Sequence, residues 1–467
     1  MKPNTGWGYR PYTELFDSRR ALSPYICRLA PRRGGFTVDF IDDTQPDSEH
    51  IVYWRPRGNG EYTAVRPDMS GDFYPDMSGG FYTVDIDCGD LADYEVYVER
   101  NDGARSSVRL VRTGDVPGKV INYLHPDDRE YAFSGNYLCS PSIVKLESGR
   151  LLASMDVFAG GAPQNLTLIY YSDDDGESWH YLVELFPCFW GKLFLVNGRL
   201  YMLGVSREYG DLLIGASDDD GVSWTAPTVL FRGANCSNMS GLHRAPMPVL
   251  ISHGRIMTDV QYGAWQTKVF GDAVLSAPVD SDLLCAESWT LTDFWLPENH
   301  RDVAIDGIIG AIEGNVVEAP DGRIFDILRY ADGRSLMLEF DPDDPEREPR
   351  FEAIIGFPST TSKCDILYDP KSKLYFSLVS YNLSEPRTLR NLLSLICSED
   401  LYEWKLVKHI LDCRNDDPQK IAFQYVDFLI DGDDILFQSR TAYNGAKNFH
   451  DTNFETFHRI SDFRGLL

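Results

Sequence analysis

The sequence predicts an all-β chain: an N-terminal β-sandwich followed by a β-propeller of six, at most seven, blades. Three observations carry this. An eight-residue phrase is written twice, as Ser172-Asp173-Asp174-Asp175-Gly176-Glu177-Ser178-Trp179 and as Ser217-Asp218-Asp219-Asp220-Gly221-Val222-Ser223-Trp224, each behind an apolar run. A strand–turn–strand unit recurs from Tyr137 onward, and a repeat of roughly 45 residues in a strand-rich chain is the period of a propeller blade. No useful length of chain shows the periodicity of an amphipathic helix.

Residues 1–115 read as the sandwich. Apolar and polar residues alternate at 35–40, 50–54, 81–86 and 93–99, the period of half-buried strands, and Asp102-Gly103 is a turn. The stretch Tyr94-Glu95-Val96-Tyr97 resembles the penultimate strand of a fibronectin-III-like domain, which implies a supporting module. Pro67-Asp68-Met69-Ser70-Gly71 recurs as Pro75-Asp76-Met77-Ser78-Gly79, a local duplication in a loop. Residues 116–136 read as a Gly-, Pro- and Asp-rich connection, and 137–467 as the propeller.

Within the propeller the hairpin turns are Ser148-Gly149-Arg150, Asn197-Gly198-Arg199, His253-Gly254-Arg255, Asp321-Gly322-Arg323, Lys371-Ser372-Lys373 and Gly432-Asp433-Asp434, one for each of six blades. In the twice-written phrase, Asp accepts hydrogen bonds from turn amides, Gly supplies a positive φ and Trp covers the hairpin base. Degenerate copies fill 276–289, 398–404 and 460–463.

Aromatic residues make up 13% of the chain, a share common in carbohydrate-binding β proteins. A net charge of -27 opposes nucleic acid or an anionic membrane as partner, while a local basic pocket can still take an acidic sugar. The nine cysteines include no C-x-x-C pair and read as reduced thiols. The first residues lack an apolar signal core and no stretch is long enough to span a membrane, so the expected location is the cytoplasm, or outside the cell if a signal has been removed.

The twice-written phrase resembles the Asp-box of the sialidase superfamily, a mark of the fold that sits on the blade rim, away from the catalytic mouth. That family grips a sialic carboxylate with three arginines, the first in a Phe-Arg-Ile-Pro phrase on the first inner strand. Here that strand reads Leu138-Cys139-Ser140-Pro141, with Cys139 where the resemblance implies Arg; Arg329 and Arg440 remain for the other two. The family reaction also implies a Tyr nucleophile paired with a Glu, and an Asp acid, for which Tyr262, Tyr425, Glu313 and Asp156 are available.

The segments 242–248, 314–329 and 439–464 are similar to a branch of these propellers that includes rhamnose-α-1,4-glucuronate lyases. This implies exo-acting β-elimination on a uronate-bearing glycan. Arg suits neutralising the carboxylate, and His suits moving protons to and from carbon and the leaving oxygen. The branch carries a His before the Asp that ends the first blade, where this chain has Met155.

A propeller collects its ligand at one mouth, so charged residues that begin inner strands or end second strands are expected to converge. His243, His450, Glu313, Asp156 and Tyr262 are the expected catalytic residues, and Arg244, Arg329, Arg440, Arg207, Asp451 and Asn453 the expected substrate-binding ones. No cofactor is expected. His450, Asp451 and Asn453 have metal-ligating atoms, but no His-x-x-His pair or Cys cluster accompanies them. Three readings stay open: a lyase acting on an acidic oligosaccharide or polysaccharide, an exo-α-sialidase or related glycoside hydrolase, and a non-catalytic glycan-binding propeller, which Cys139 and Met155 would suit.

Overall fold

Six antiparallel sheets follow one another along the chain and form the blades of a propeller. The computed structural model describes residues 6–9, 23–42, 48–67, 80–233, 240–267, 269–300, 311–381 and 389–467; the duplicated Pro-Asp-Met-Ser-Gly loop lies outside these but for Pro67. The inner strands are Tyr137–Lys145, Phe189–Val196, the split pair Gly241–His243 and Leu250–Ser252, Ile312–Glu318, Ile366–Asp369 and Ala422–Asp431. The third is split because Pro246 and Pro248 have no N–H for the ladder.

The segment read as a connection closes the ring. Lys119–Tyr123 pairs with Phe454–Ile460 as the outer strand of the last blade, so strands from both ends of the propeller segment complete one sheet. At the other margin, Gly8–Tyr9 pairs with His180–Leu185 of the first blade. Trp7 anchors it: its indole is 2% exposed and Nε1 donates to the Pro187 carbonyl at 2.8 Å. These first residues therefore belong to the propeller rather than to the sandwich, covering a sheet edge that would otherwise be open.

The sandwich has a three-stranded sheet (Tyr25–Arg32, Gly35–Asp42, Gly80–Asp87) and a four-stranded one (Thr63–Val65, His50–Pro56, Asp93–Arg100, Arg109–Arg112). Its core includes Tyr123 and Phe454 of the last blade, and Tyr25 packs into the core of the first. The Tyr25 hydroxyl donates to Glu184 at 2.8 Å, so the two units share buried contacts.

The two eight-residue phrases form equivalent turns. Asp174 accepts from the Ser178 amide at 2.9 Å and from Ser172 Oγ at 2.7 Å; Asp219 accepts from the Ser223 amide at 2.8 Å and from Ser217 Oγ at 2.8 Å. Gly176 has φ +93° and a Cβ there would lie 2.1 Å from the Phe457 ring, which leaves no other residue for the position. Trp179 and Trp224 are buried.

A second repeat is visible only in three dimensions. Four inner strands carry a bulge, and at each a non-glycine residue takes a positive φ: Ser140 (58°), Trp190 (51°), Glu313 (57°) and Tyr425 (54°). The bulge interrupts the alternation of the strand and turns that side chain towards the ring's axis. Two residues further on, polar side chains tie one blade to the next. Ser142 accepts from the Leu193 amide at 3.0 Å, Asn315 donates to the Cys364 carbonyl at 2.7 Å, and Asp427 accepts from the Ile143 amide at 2.7 Å. Lys192 reaches both oxygens of Asp427 at 2.6 Å.

Candidate active site

The four bulge residues line one cavity of about 690 Å³ at the mouth of the ring. Around Tyr425 it gathers three arginines from three blades. Arg329 lies near the end of the second strand of blade 4, Arg390 precedes the third strand of blade 5, and Arg440 lies on the second strand of blade 6. Arg329 Nη1 donates to the Tyr425 hydroxyl at 3.0 Å and sits 2.7 Å from Glu313 Oε2 as an ion pair, which brings phenol and carboxylate to one guanidinium nitrogen. The guanidinium carbons of Arg390 and Arg440 lie 5.4 Å and 5.0 Å from the Tyr425 ring centre.

Arg390 and Arg440 are buried, and among the described residues neither pairs with a carboxylate. Arg390 donates to the Gln424 side chain and, at 2.6 Å, to the Thr361 carbonyl; Arg440 donates to the His450 carbonyl. Among the described residues the Nε–H of each faces no acceptor. Burial pushes Arg390 down to about 10, and the guanidiniums of Arg329 and Arg440 push in the same direction. For Arg329 burial is again the largest influence and acts in that sense, but Glu313 and Tyr425 together outweigh it and the pKa is raised. Two buried cations whose hydrogen-bond acceptors among the described residues are all neutral make this wall complementary to an anion.

The opposite wall is aromatic. Trp190 and Phe189 line it, Phe158 and Trp265 bring it round to Arg440 (4.7 Å) and Arg329 (6.0 Å), and His243 is packed among Trp190, Phe270 and Trp265 at ring distances of 4.4, 5.0 and 5.7 Å. His243 Nδ1 is 3.2 Å from Gln261 Oε1, and burial pushes its pKa down to about 4, so it is a neutral ring at ordinary pH. Glu208 also lines the cavity; its Oε2 accepts from Gln164 Nε2 at 2.7 Å, and burial raises its carboxyl. At the rim His450 Nδ1 lies 3.0 Å from Asp451 Oδ1.

Of the residues expected from sequence, His243, Glu313, Arg329, Arg440, His450 and Asp451 line this cavity, as does Tyr425. Five others do not. Arg244 follows His243 directly, and neighbours in an extended segment face opposite ways; it is wholly buried and donates to the Leu203 carbonyl at 3.2 Å. Tyr262 is 40% exposed against Phe294, because Asp259 and Gln261 take the inward positions of its strand. Asp156 is buried behind the wall, where its Oδ2 accepts from the Trp190 amide at 2.6 Å and holds that bulge; burial raises its pKa to about 7. Asn453 is buried and donates to the Tyr443 carbonyl at 2.9 Å. Arg207 is half-buried on the turn beside Glu208.

Arg390, Glu208, Trp190 and Trp265 were not among the expected residues. Arg390 was findable: in an antiparallel blade the start of the third strand lies at the same end as the close of the second. Among the described residues no group of three or more His, Cys, Asp or Glu side chains could hold a metal ion, and no helix is long and apolar enough to cross a membrane.

No protein-family model matches the chain, and no curated protein does. Solved structures do. The sialidase Hz136, described as a Hadza microbial sialidase, is 12% identical with a TM-score of 0.50, over 94% of this chain and 99% of its own. The leech intramolecular trans-sialidase is 11% identical with a TM-score of 0.48, over 99% of this chain and 98% of its own. The α-L-arabinanase of Penicillium chrysogenum is 14% identical with a TM-score of 0.49, over 75% of this chain and 99% of its own. At such identity the likeness to the sialidase is one of fold.

Proposed function

We propose that the protein is a retaining exo-glycosidase for a sugar that carries a carboxylate beside its anomeric carbon, a sialic acid or a chemically similar keto-sugar acid. The observation that carries this is the closure of Arg329, Arg390 and Arg440 around Tyr425. The arginines hold the carboxylate. Arg440 reaches the site from the last blade, on the side where Cys139 occupies the first, and so supplies the third guanidinium that the inner strand of blade 1 lacks. A carboxylate at the reacting carbon would repel an anionic nucleophile, whereas a phenol attacks as a neutral group. In this reading Tyr425 Oη bonds to the anomeric carbon and its proton passes to Glu313; water later hydrolyses the glycosyl-tyrosine.

The likeness in fold to a sialidase is consistent with this reading. The elimination of a uronate is less well supported: it asks His243 to move a proton, yet that ring is held by Gln261 and enclosed by aromatic side chains. A uronate lyase remains the second reading because the same arginines suit a uronate and His450 stands beside Arg440.

The test is incubation with sialyllactose and with acidic uronate oligosaccharides. The expected product is free sialic acid, formed first as the retained anomer by NMR. Tyr425→Phe should lower turnover by roughly 10²-fold or more. Arg440→Lys should weaken binding of the free acid about tenfold, and leave binding of its methyl ester unchanged. Ultraviolet absorbance of an unsaturated uronate would support the lyase instead, and release of every ligand unchanged would reduce the protein to a lectin.

A further inference from the structure

We propose that Glu208 is the acid that protonates the leaving oxygen, an assignment that rests on the hydrolysis proposed above. Among the described residues, three carboxyl groups line the cavity: Glu208, Glu313 and Asp451. Departure of an alcohol from a sugar needs one of them protonated and placed away from the group that activates the nucleophile. Glu313 Oε2 is 2.7 Å from Arg329 Nη1, the nitrogen that donates to Tyr425, which places it as the acceptor of the phenol proton. Asp451 is bound to His450 and accepts from Asn448 Nδ2 at 3.0 Å, and its bond to His450 lowers its pKa, so it stays ionised.

Glu208 differs from both. Among the described residues it has no cationic partner; it accepts at 2.7 Å from a neutral amide, Gln164 Nε2. It follows the second strand of blade 2, whereas Arg329, Arg390 and Tyr425 belong to blades 4, 5 and 6, so it faces them across the mouth. Its neighbour Tyr209 fixes this segment: the Tyr209 hydroxyl accepts from the Trp265 amide at 3.0 Å, and its ring lies 6.3 Å from Trp190. A half-buried carboxyl without a cation, set against an aromatic wall, holds its proton to higher pH than an exposed one. Asp156 cannot serve, because both its oxygens are taken up behind the wall by the Trp190 amide and Thr167.

The step balances. The bond from the anomeric carbon to the glycosidic oxygen breaks as the bond to Tyr425 Oη forms; the Glu208 proton goes to the departing oxygen and the phenol proton to Glu313. In the second half, water bonds to the anomeric carbon and its proton goes to Glu208. The Tyr425 oxygen leaves with the proton held by Glu313, and both carboxyls return to their starting states.

The test compares two leaving groups on the full chain. Sialyllactose loses a poor leaving group that must be protonated; the umbelliferyl ketoside of the same sugar loses a phenol that needs little help. Glu208→Gln should slow sialyllactose hydrolysis by about 10²–10⁴-fold and slow the umbelliferyl substrate less than about tenfold. The variant should also lose the basic limb of the wild-type pH–rate profile for sialyllactose, and keep its circular dichroism and melting temperature. An equal loss on both substrates, or no loss on either, overturns the assignment while the hydrolysis stands. If the wild-type protein cleaves neither substrate, the hydrolysis itself fails and the assignment falls with it.

Discussion

At the scale of single residues, the site is built by what each side chain is denied. Among the described residues Arg390 and Arg440 pair with no carboxylate and Glu208 with no cation, and His243 is denied a protonated state. The last has a measurable consequence. The ordinary histidine value is 6.5, and the folded chain holds His243 at about 4, so between these the unfolded chain binds more protons and stability falls as pH is lowered. Asp156, raised to about 7, acts in the opposite sense, losing its contribution as pH rises, so the comparison must be made between variants. Urea unfolding at about pH 7 and about pH 4.5 should show the wild-type protein losing up to about 3 kcal/mol more than His243→Gln. Equal losses would mean that His243 is protonated in the fold. Strand position in the sequence decides which end of a blade a side chain reaches, and Arg329 and Arg440 line the cavity accordingly. The face that a side chain takes is less legible: His243 and Arg244 are adjacent, and only one can look into the mouth.

At the scale of elements, two kinds of turn do different work. The Asp-box turns were legible because Asp, Gly, Ser and Trp each have a chemical reason to occupy their position. Asp174 is held in its own turn by Ser172 and Ser178 and does not line the cavity. Asp174→Ala should lower stability by about 1–2 kcal/mol, as for loss of a helix cap. Denaturant midpoints would measure that, and sugar-acid binding by calorimetry should not change. A change in binding with stability intact would place the box in the site after all. The inner-strand bulges were not legible. Their positive-φ positions carry Ser140, Trp190, Glu313 and Tyr425 where the backbone alone would favour glycine, so local chemistry gave no signal. The strain is tolerated because neighbouring strands hold it, as Asp156 holds the Trp190 amide.

At the scale of the molecule, the ring is closed by a strand from before the first blade and is tied across its axis by charge. Lys192 of blade 2 and Asp427 of blade 6 meet at 2.6 Å in the buried centre, beside Lys363 and Asp365, which pair at 2.7 Å. Burial is the largest influence and acts to raise the Asp427 carboxyl, but Lys192, the hydrogen bond with Asp365 and Lys363 together hold it below its usual range. Lys192→Met would strand that carboxylate and should cost about 3–5 kcal/mol. Lys192→Met with Asp427→Leu should recover part of this, because no lone charge is left. Thermal and urea unfolding would decide, and a neutral single variant, or a double variant worse than the single, would show that the pair does not tie the ring.

The sequence by itself determined that the chain is all-β, that the repeat makes a propeller, and that its boxes lie in hairpin turns, because each is a local pattern of apolar period and turn chemistry. Only the tertiary structure decided that residues 6–9 and 119–123 complete the first and last blades, and that Arg440 of the last blade stands beside Cys139 of the first. It also decided which carboxyls meet a cation and which do not. The physical reason is that ring closure juxtaposes residues about 300 apart in sequence, and both charge pairing and burial depend on distance through space rather than along the chain.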